Sequence, residues 1–591
     1  MSYRIGSKVV RTYSGSIYGM HGPSVLIQVS VSEPQVFQSF TALSEHMSEI
    51  FLEGSARFHR PGPKNDVEGL AELAKFIIHA MRYAGIPLRL EFSIRRDRFG
   101  KLILLLPAIH SKVSFDCFEF AMDRIAEAAK GSLEGPGAEA FLRDVVSQIV
   151  IICEPFALRR QNPKNLVLAA YNLGLPVSHI SESYVGIGHG AGYCRFVSSF
   201  SDETSVIGVN IARCKYQTAQ FLKRHGFPVA QQIPLGVNDD PITAAEKIGY
   251  PVVVKPSDRD GGQGVHAGIK GRASLSKCIS DTRKYSNNVL IEKFHAGHNY
   301  RITLCNDAVI SSTRKLPGGV LGDGVSPVSA LVAAQDRGRS TLLDPYEDYK
   351  PTFVFDDEAA EILAERGLSL QTVLQEGEFL ALRRRTNAIT GGSTLPLDVL
   401  DIHPENLELF REGARLIGLD ICGVDYISED ISRPWYEVGG IIVELNAQPQ
   451  MGYLAAYTML EELKRNIRKS SVYLMLYKAG AQIGVEEIRR SLLKYDVPMA
   501  IMGRERITCE SISRRAFRSE IGAIVSALQD KSVGDLLCVF SDWEFQQWGF
   551  PLDQFNCLLV HPSMASSDLF PGVVLEVLAR PYAAETKYLE A

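Results

Sequence analysis

At 591 residues the chain is too long for one hydrophobic core, and ordinary domain sizes predict roughly three or four compact units. With 46% hydrophobic and 22% charged residues and a formal net charge of −5, it has the composition of an ordinary globular protein and no global attraction to nucleic acid or an anionic membrane. No segment approaches the ~20 apolar residues of a membrane span, and Met1 to Val10 lacks the apolar stretch of a signal peptide. The expectation is a cytoplasmic enzyme with no nucleic-acid and no membrane partner. The ten cysteines are scattered without CxxC pairs, which points to reduced, buried thiols rather than zinc sites or disulfide staples.

Residues 1–160 mix strand-like runs, Ser24–Ser30 and Lys101–Leu106, with a helical pattern over Gly69–Tyr83, and this predicts an N-terminal α+β domain. From 161 to 469 the texture changes to short β-branched strands, glycine turns and amphipathic helices such as Thr218–His225 and Pro404–Leu416, which is α/β grammar. Residues 470–591 alternate helix and strand again, through Val485–Lys494, Val497–Met502, Arg518–Gln529, Asp535–Phe540 and Cys557–Val560. That order predicts a small Rossmann-like layer with a parallel sheet. No internal repeat is visible.

The most informative stretch is Gly249-Tyr-Pro-Val-Val-Val-Lys255, followed by the turn Gly261-Gly262-Gln-Gly264. An apolar strand delivers a lysine at its end, and a glycine-rich turn follows whose bare N–H groups can surround phosphate oxygens. It is neither a Walker A loop nor a dinucleotide fingerprint. Taken alone, such a turn is more often a plain hairpin. Three further pieces in order change that reading. Upstream, Lys215 leads a helix. Downstream come Val289-Leu-Ile-Glu292-Lys293 and then Arg301. Finally Gly423-Val-Asp425 opens a strand pair whose return limb carries Glu444 and Asn446, two apart and hence on one face, with oxygens suited to Mg²⁺.

This ordered set resembles the ATP-grasp superfamily. The resemblance implies that Lys215 and Lys255 hold ATP, with Glu292 and Lys293 at the adenine–ribose hinge and Gly261, Gly262 and Gly264 over the phosphates. It also implies that Asp425, Glu444 and Asn446 hold Mg²⁺. Longer strings resemble cyanophycin synthetase in particular: Gly186-Ile-Gly-His-Gly, Arg314-Lys-Leu-Pro-Gly-Gly-Val-Leu-Gly-Asp323-Gly324, Leu382-Arg-Arg384-Arg-Thr-Asn387-Ala-Ile-Thr-Gly391-Gly392 and Val424-Asp425-Tyr-Ile-Ser-Glu-Asp. The family phosphorylates a carboxylate and joins it to an amine. Arg301 and Arg384 would stabilise the transferring phosphoryl group and the oxyanion, and Arg314, Asn387 and Gly392 would line the acyl or acceptor site.

Departures accompany the matches. The family's His before Gly-Arg-Gly is replaced by Gly261-Gly-Gln-Gly264, its Pro-Ala-His by Pro317-Gly-Gly319, and the helix that carries a metal motif in some relatives reads Ala71-Glu-Leu-Ala74-Lys75. In the family a Mur-ligase-like domain follows, with a Gly-Thr-Asn-Gly-Lys-Thr loop. Here that junction reads Tyr477-Lys-Ala-Gly-Ala-Gln-Ile-Gly484, without the Lys-Thr pair, so a degenerate, truncated Mur-ligase-like domain without a second ATP site is expected.

The resulting expectation is an ATP-dependent peptide-bond-forming ligase acting on amino acids or short aspartate-containing peptides, as a homodimer or homotetramer. Two rivals stand beside it: a small-molecule amino-acid ligase of a biosynthetic pathway, and a nucleotide-binding scaffold without catalysis.

Overall fold

In a computed structural model the described residues are 5–31, 66–128, 136–181, 183–259, 262–337, 355–384, 386, 392–467, 470–481, 499–503, 506–508, 526–550, 552–569, 575 and 578–589. The chain forms two compact units. One is built mainly from Met1–Val197 and Leu460–Ala591, the other from Ser198–Ser340 and Asp348–Met459. Residues 161–197 thus pack with the first unit.

In the first unit an antiparallel sheet runs in the order Ile5–Tyr13, Ser24–Val31, Leu102–Pro107, Ser93–Arg96. Strand alternation decides its core. Val25, Ile27 and Val29 lie opposite Leu106, Leu104 and Leu102, so all six share one face. That face is covered by the helices Asp66–Tyr83, Ser111–Ala128 and Pro136–Cys153, which supply Leu70, Leu73 and Ile77, and Leu142, Val145 and Ile149, at helical spacing. Each such side chain contributes about 1.5–3 kcal/mol of burial. On the helix Asp66–Tyr83, Glu72 and Lys75 pair with each other at 2.6 Å.

The C-terminal sheet of this unit has six strands in the order Arg506–Thr508, Met499–Gly503, Asp535–Ser541, Val472–Tyr477, Phe555–Val560, Ala583–Tyr588. All neighbours are parallel except the first pair. Both faces are apolar, as a parallel layer requires: Leu474, Leu476, Cys538 and Leu558 on one, Met475, Leu537, Cys557 and Leu559 on the other. The expected helix Val485–Lys494, most of Arg518–Gln529 and Gly484 lie outside the described residues. At the junction after Val472–Tyr477, the Ala479 N–H donates to Asp542 Oδ1 at 2.8 Å, so a carboxylate of the chain itself occupies a backbone donor of that turn. Gly15 and Ser16 run against Phe550: Ser16 N donates to Phe550 O (2.7 Å) and Phe550 N to Ser16 O (2.8 Å). A Cβ on Gly15 would stand 2.0 Å from Phe550 O, so only glycine permits this approach.

Among the described residues the second unit contains two larger antiparallel sheets. One has the order His266–Ile269, Val252–Pro256, Val289–Lys293, Gln232–Leu235, with the helices Pro241–Ile248 and Arg272–Arg283 packed on Val252, Val254, Val289 and Ile291. The other has the order Ser393–Pro396, Ala308–Leu316, His298–Cys305, Ile421–Ser428, Ile441–Asn446. Its core face carries Tyr300, Ile302, Val424 and Tyr426 against the helices Val206–Ala212 and Pro404–Ile417. The two sheets are stitched where Val229 bridges Ile442, three residues before the strand beginning at Gln232. A small satellite, the ribbon Gly319–Leu321 and Phe379–Ala381 with the helices Val328–Arg337 and Asp357–Glu365, has its own core around Val320, Val328, Leu363 and Leu380.

Candidate nucleotide and metal site

The strand Val252–Pro256 gives Val252 and Val254 to its helices, so Lys255 must project from the opposite face. Val253 lies directly opposite Glu292, and Gln232 also lies opposite Glu292. The pleat therefore gathers Gln232, Glu292 and Lys255 on one face. Lys255 Nζ is 2.7 Å from Glu292 Oε2, and Gln232 Nε2 donates to the same oxygen at 2.5 Å. Lys255 and Glu292 are only 5% and 6% exposed, a degree of burial that ionisable groups tolerate only when paired. Lys293, one residue on, falls on the other face, where its Nζ donates to Gly249 O at 2.9 Å and braces the turn before the Lys255 strand.

Beyond Lys255 the chain turns. Gly261 lies outside the described residues, and Gly262 and Gly264 have φ of 70° and 66°. Gly264 is required twice over, because a Cβ there would also stand 2.9 Å from Tyr285 Cδ2. Thr282 Oγ1 donates to Gly264 O at 2.7 Å and holds the turn.

Lys215 opens the helix Lys215–Arg224 and connects both sheets. Its backbone N–H donates to Ser257 O, its Nζ donates to Arg259 O at 2.9 Å, and the same Nζ is 3.4 Å from Glu444 Oε1. In the second sheet, register places Arg301 opposite Asp425 and Asp425 opposite Glu444, while Asn446 lies opposite Gly423. One face thus presents Arg301, Asp425, Glu444 and Asn446 in adjacent strands. Asp425 Oδ1 is 3.0 Å from Arg301 Nε and 2.7 Å from Lys315 Nζ. Burial works against the Asp425 charge, yet Arg301 and Lys315 overcome it and hold the carboxyl below the usual range. Gly423 makes room for Arg301, since a Cβ there would stand 2.3 Å from Nη1. Asn446 Oδ1 accepts from Gln448 N at 2.8 Å. Among the described residues no cluster of three or more His, Cys, Asp or Glu is placed to hold a metal. The donor set here is two carboxylates and an amide oxygen, which suits a hard cation that keeps part of its water.

Other expected residues lie elsewhere. Arg314 sits opposite Tyr300, on the core-side face, and its Nη2 lies 2.9 Å from His298 Nδ1. Arg384 pairs with Glu361 (3.3 Å) and Glu365 (2.5 Å) of the satellite helix. Asn387 lies outside the described residues, and Gly392 immediately precedes the edge strand Ser393–Pro396. Two residues that sequence reading passed over join the cluster. Lys315 shares the face of Arg301, and its signal was the strand alternation one step from Arg314. Gln232 is opposite Glu292, where only the register reveals it.

Two antiparallel sheets of the second unit carry these residues, one a buried lysine–glutamate pair and the other a cross-strand acidic pair. Residues 214–306, which span Lys215, Lys255 and Glu292, match the family model described as carbamoyl-phosphate synthase L chain, ATP binding domain. The chain is similar to cyanophycin synthetase from Trichormus variabilis, with 30% identity over 307 residues, covering 51% of this chain and 33% of the relative. It is also similar to the glutathione biosynthesis bifunctional protein GshAB from Clostridium perfringens, with 26% identity over 300 residues, covering 48% of this chain and 37% of that one. Among solved structures, a bifunctional glutathione synthetase from Pasteurella multocida aligns over 76% of this chain and 82% of its own, at 14% identity and a TM-score of 0.41. The aligned region spans about a third of the length of the curated cyanophycin synthetases. Among the described residues no helix is long and apolar enough to cross a membrane.

Proposed function

We propose that the chain is an ATP-dependent carboxylate–amine ligase that forms an amide bond through an acyl phosphate, with one active site, in the second unit. The single observation that carries this reading is Lys215, which ties the loop after the Lys255 strand to Glu444 and so links the candidate nucleotide pair to the candidate metal pair. Lys255, Glu292 and Lys215 would bind ATP, with Gly262 and Gly264 keeping the loop backbone open to phosphate. Asp425, Glu444 and Asn446 would hold Mg²⁺, which when bound neutralises phosphate charge. In the free chain those carboxylates are met by Arg301, Lys315 and Lys215, the cations best placed to turn to phosphate oxygens once the carboxylates take a metal.

A carboxylate is a poor electrophile at neutral pH, and transfer of a phosphoryl group to it provides a leaving group for an attacking amine. Arg301, held over Gly423, would stabilise charge on the transferring group and on the oxyanion that follows. Arg384 would have to leave Glu361 and Glu365 to take part. The similarity to cyanophycin synthetase and to the glutathione biosynthesis protein supports amino acids or peptides as the kind of substrate; aspartate-containing peptides and a cytoplasmic homodimer or homotetramer belong to the same proposal. We read the division 1–160, 161–469 and 470–591 as an N-terminal domain, a catalytic domain and a Mur-ligase-like remnant without a second ATP site.

The test is amine-dependent release of ADP from MgATP with mixed amino acids and aspartyl dipeptides, with products identified by mass spectrometry. Glu444→Ala should reduce it about a hundredfold or more with the fold intact. Release of ADP at an unchanged rate in that variant would remove the metal assignment, and no release with any acid and amine would remove the ligase reading.

A further inference from the structure

The first unit holds a cavity of about 190 Å³ lined by none of the candidate nucleotide or metal residues. Its wall is drawn from residues 14–23 and 88–109, from 171–189, and from 528–553. Two ion pairs stand in that wall. Arg89 pairs with Asp553 and stacks 4.2 Å over the Tyr171 ring, while His21 Nδ1 is 2.9 Å from Glu91 Oε2. The wall therefore offers both signs of charge, already balanced, beside an apolar surface of Leu88, Leu528, Leu552 and Trp548.

Three of its polar side chains are incompletely satisfied. Ser16 Oγ, Arg89 Nε and both ring nitrogens of His189 are buried with no hydrogen-bond partner of good geometry among the described residues. Each such group has given up the hydrogen bonds it would make in water, so an arrangement that gathers them around one cavity calls for an occupant. At ~30 Å³ per water the volume equals about six waters. It falls short of the ~300 Å³ of a drug-sized pocket, which favours a ligand much smaller than a nucleotide. An occupant that leaves no charge in excess is neutral overall, and a wall presenting Arg89 beside Asp553 and His21 beside Glu91 favours one that carries both signs on a small body with some apolar surface.

We propose that this cavity is a binding site for a free α-amino acid, its carboxylate at Ser16 and Arg89 and its ammonium at Asp553 and Glu91. Burial pushes the His189 pKa down to about 4, so at neutral pH the ring is uncharged and offers one donor and one acceptor to the ligand's side chain. This site is separate from any substrate position in the second unit.

The experiment titrates the full chain, free of nucleotide, with each standard amino acid in turn, followed by calorimetry and by the fluorescence of Trp548 in the cavity wall. At least one amino acid should bind. Ser16→Ala and His189→Leu should each weaken it about tenfold or more while leaving MgATP binding unchanged. Arg301→Met should leave it unchanged, and Trp548→Phe should remove the optical signal but not the heat. The matching amine without its carboxylate, and the acid without its amine, should bind far more weakly. Binding of no amino acid would mean that water fills the cavity and would overturn the proposal. So would binding that is lost in Arg301→Met but kept in Ser16→Ala and His189→Leu, which would place the ligand in the second unit instead.

Discussion

Lys255 Nζ and Glu292 Oε2 lie 2.7 Å apart with side chains only 6% and 8% exposed, on neighbouring strands whose opposite faces bury Val252, Val254, Val289 and Ile291. Neither charge has water to fall back on, so each is stable only because the other is present.

Lys255→Met should therefore lower stability by about 3–5 kcal/mol, because it leaves Glu292 buried and unpaired. Adding Glu292→Leu should restore much of that loss, since an apolar pair of similar volume suits the site. Nucleotide binding should return in neither variant. Denaturant unfolding alongside ATP calorimetry separates the two effects. A double variant that recovers both stability and ATP binding would show that the pair is architectural and nothing more.

Asp425 sets a pH dependence. Burial opposes its charge, but Arg301 and Lys315 win and hold the carboxyl below its ordinary value. A carboxyl depressed in the folded state stabilises fully above its unfolded value, near about 3.9, and the contribution fades as pH falls from there through the folded value. Stability of the natural chain should thus drop more steeply below pH ~4 than that of Asp425→Asn. Parallel curves for the two proteins through that window would contradict the pairing.

Gly423→Ala isolates the position of Arg301. The added methyl would stand 2.3 Å from Arg301 Nη1 and 3.2 Å from Pro449 Cβ, and the flexible guanidinium is the group able to yield. The cost in stability should be about 1 kcal/mol, an ordinary value for a single substitution. ADP-forming activity should fall by about tenfold or more, because a small displacement of a positioned charge is amplified in rate. The comparison is of kcat in the variant and in Arg301→Met: if Gly423 acts through Arg301, combining the two changes should lose little more than Arg301→Met alone.

Much of this architecture was legible in the residues, and the reasons are local. The run Val252-Val-Val-Lys255 reads as a strand with a lysine at its end because branched apolar residues favour the pleat and glycines stop it. Glu444 and Asn446 share a face by the period of two alone. Helix ends moved by a few residues: the pattern over Thr218–His225 became Lys215–Arg224, begun by Cys214 without a side-chain cap that the sequence could display. Pairing between strands distant in sequence is what no local pattern carries. Nothing near Gln232 announces Glu292, sixty residues away. Arg384 reads as a candidate for phosphate until the helix bearing Glu361 and Glu365 folds against it.

Strand register also separates two neighbouring cations that composition treats alike. Lys315 lies opposite Asn299, two residues from Arg301, and therefore reaches Asp425 at 2.7 Å. Arg314 lies opposite Tyr300, on the face that packs against the core, and reaches His298. Lys315→Met should accordingly reduce ADP formation far more than Arg314→Met, with roughly tenfold between them, because only the first removes a cation from the face that carries Asp425 and Glu444. Arg314→Met should act mainly on stability, since its guanidinium meets the His298 ring, its Nε is buried, and it lies opposite the buried Tyr300. Steady-state rates for the two variants, each paired with its unfolding curve, decide the matter. A larger rate loss in Arg314→Met, at matched stability, would move the chemistry to the opposite side of the sheet.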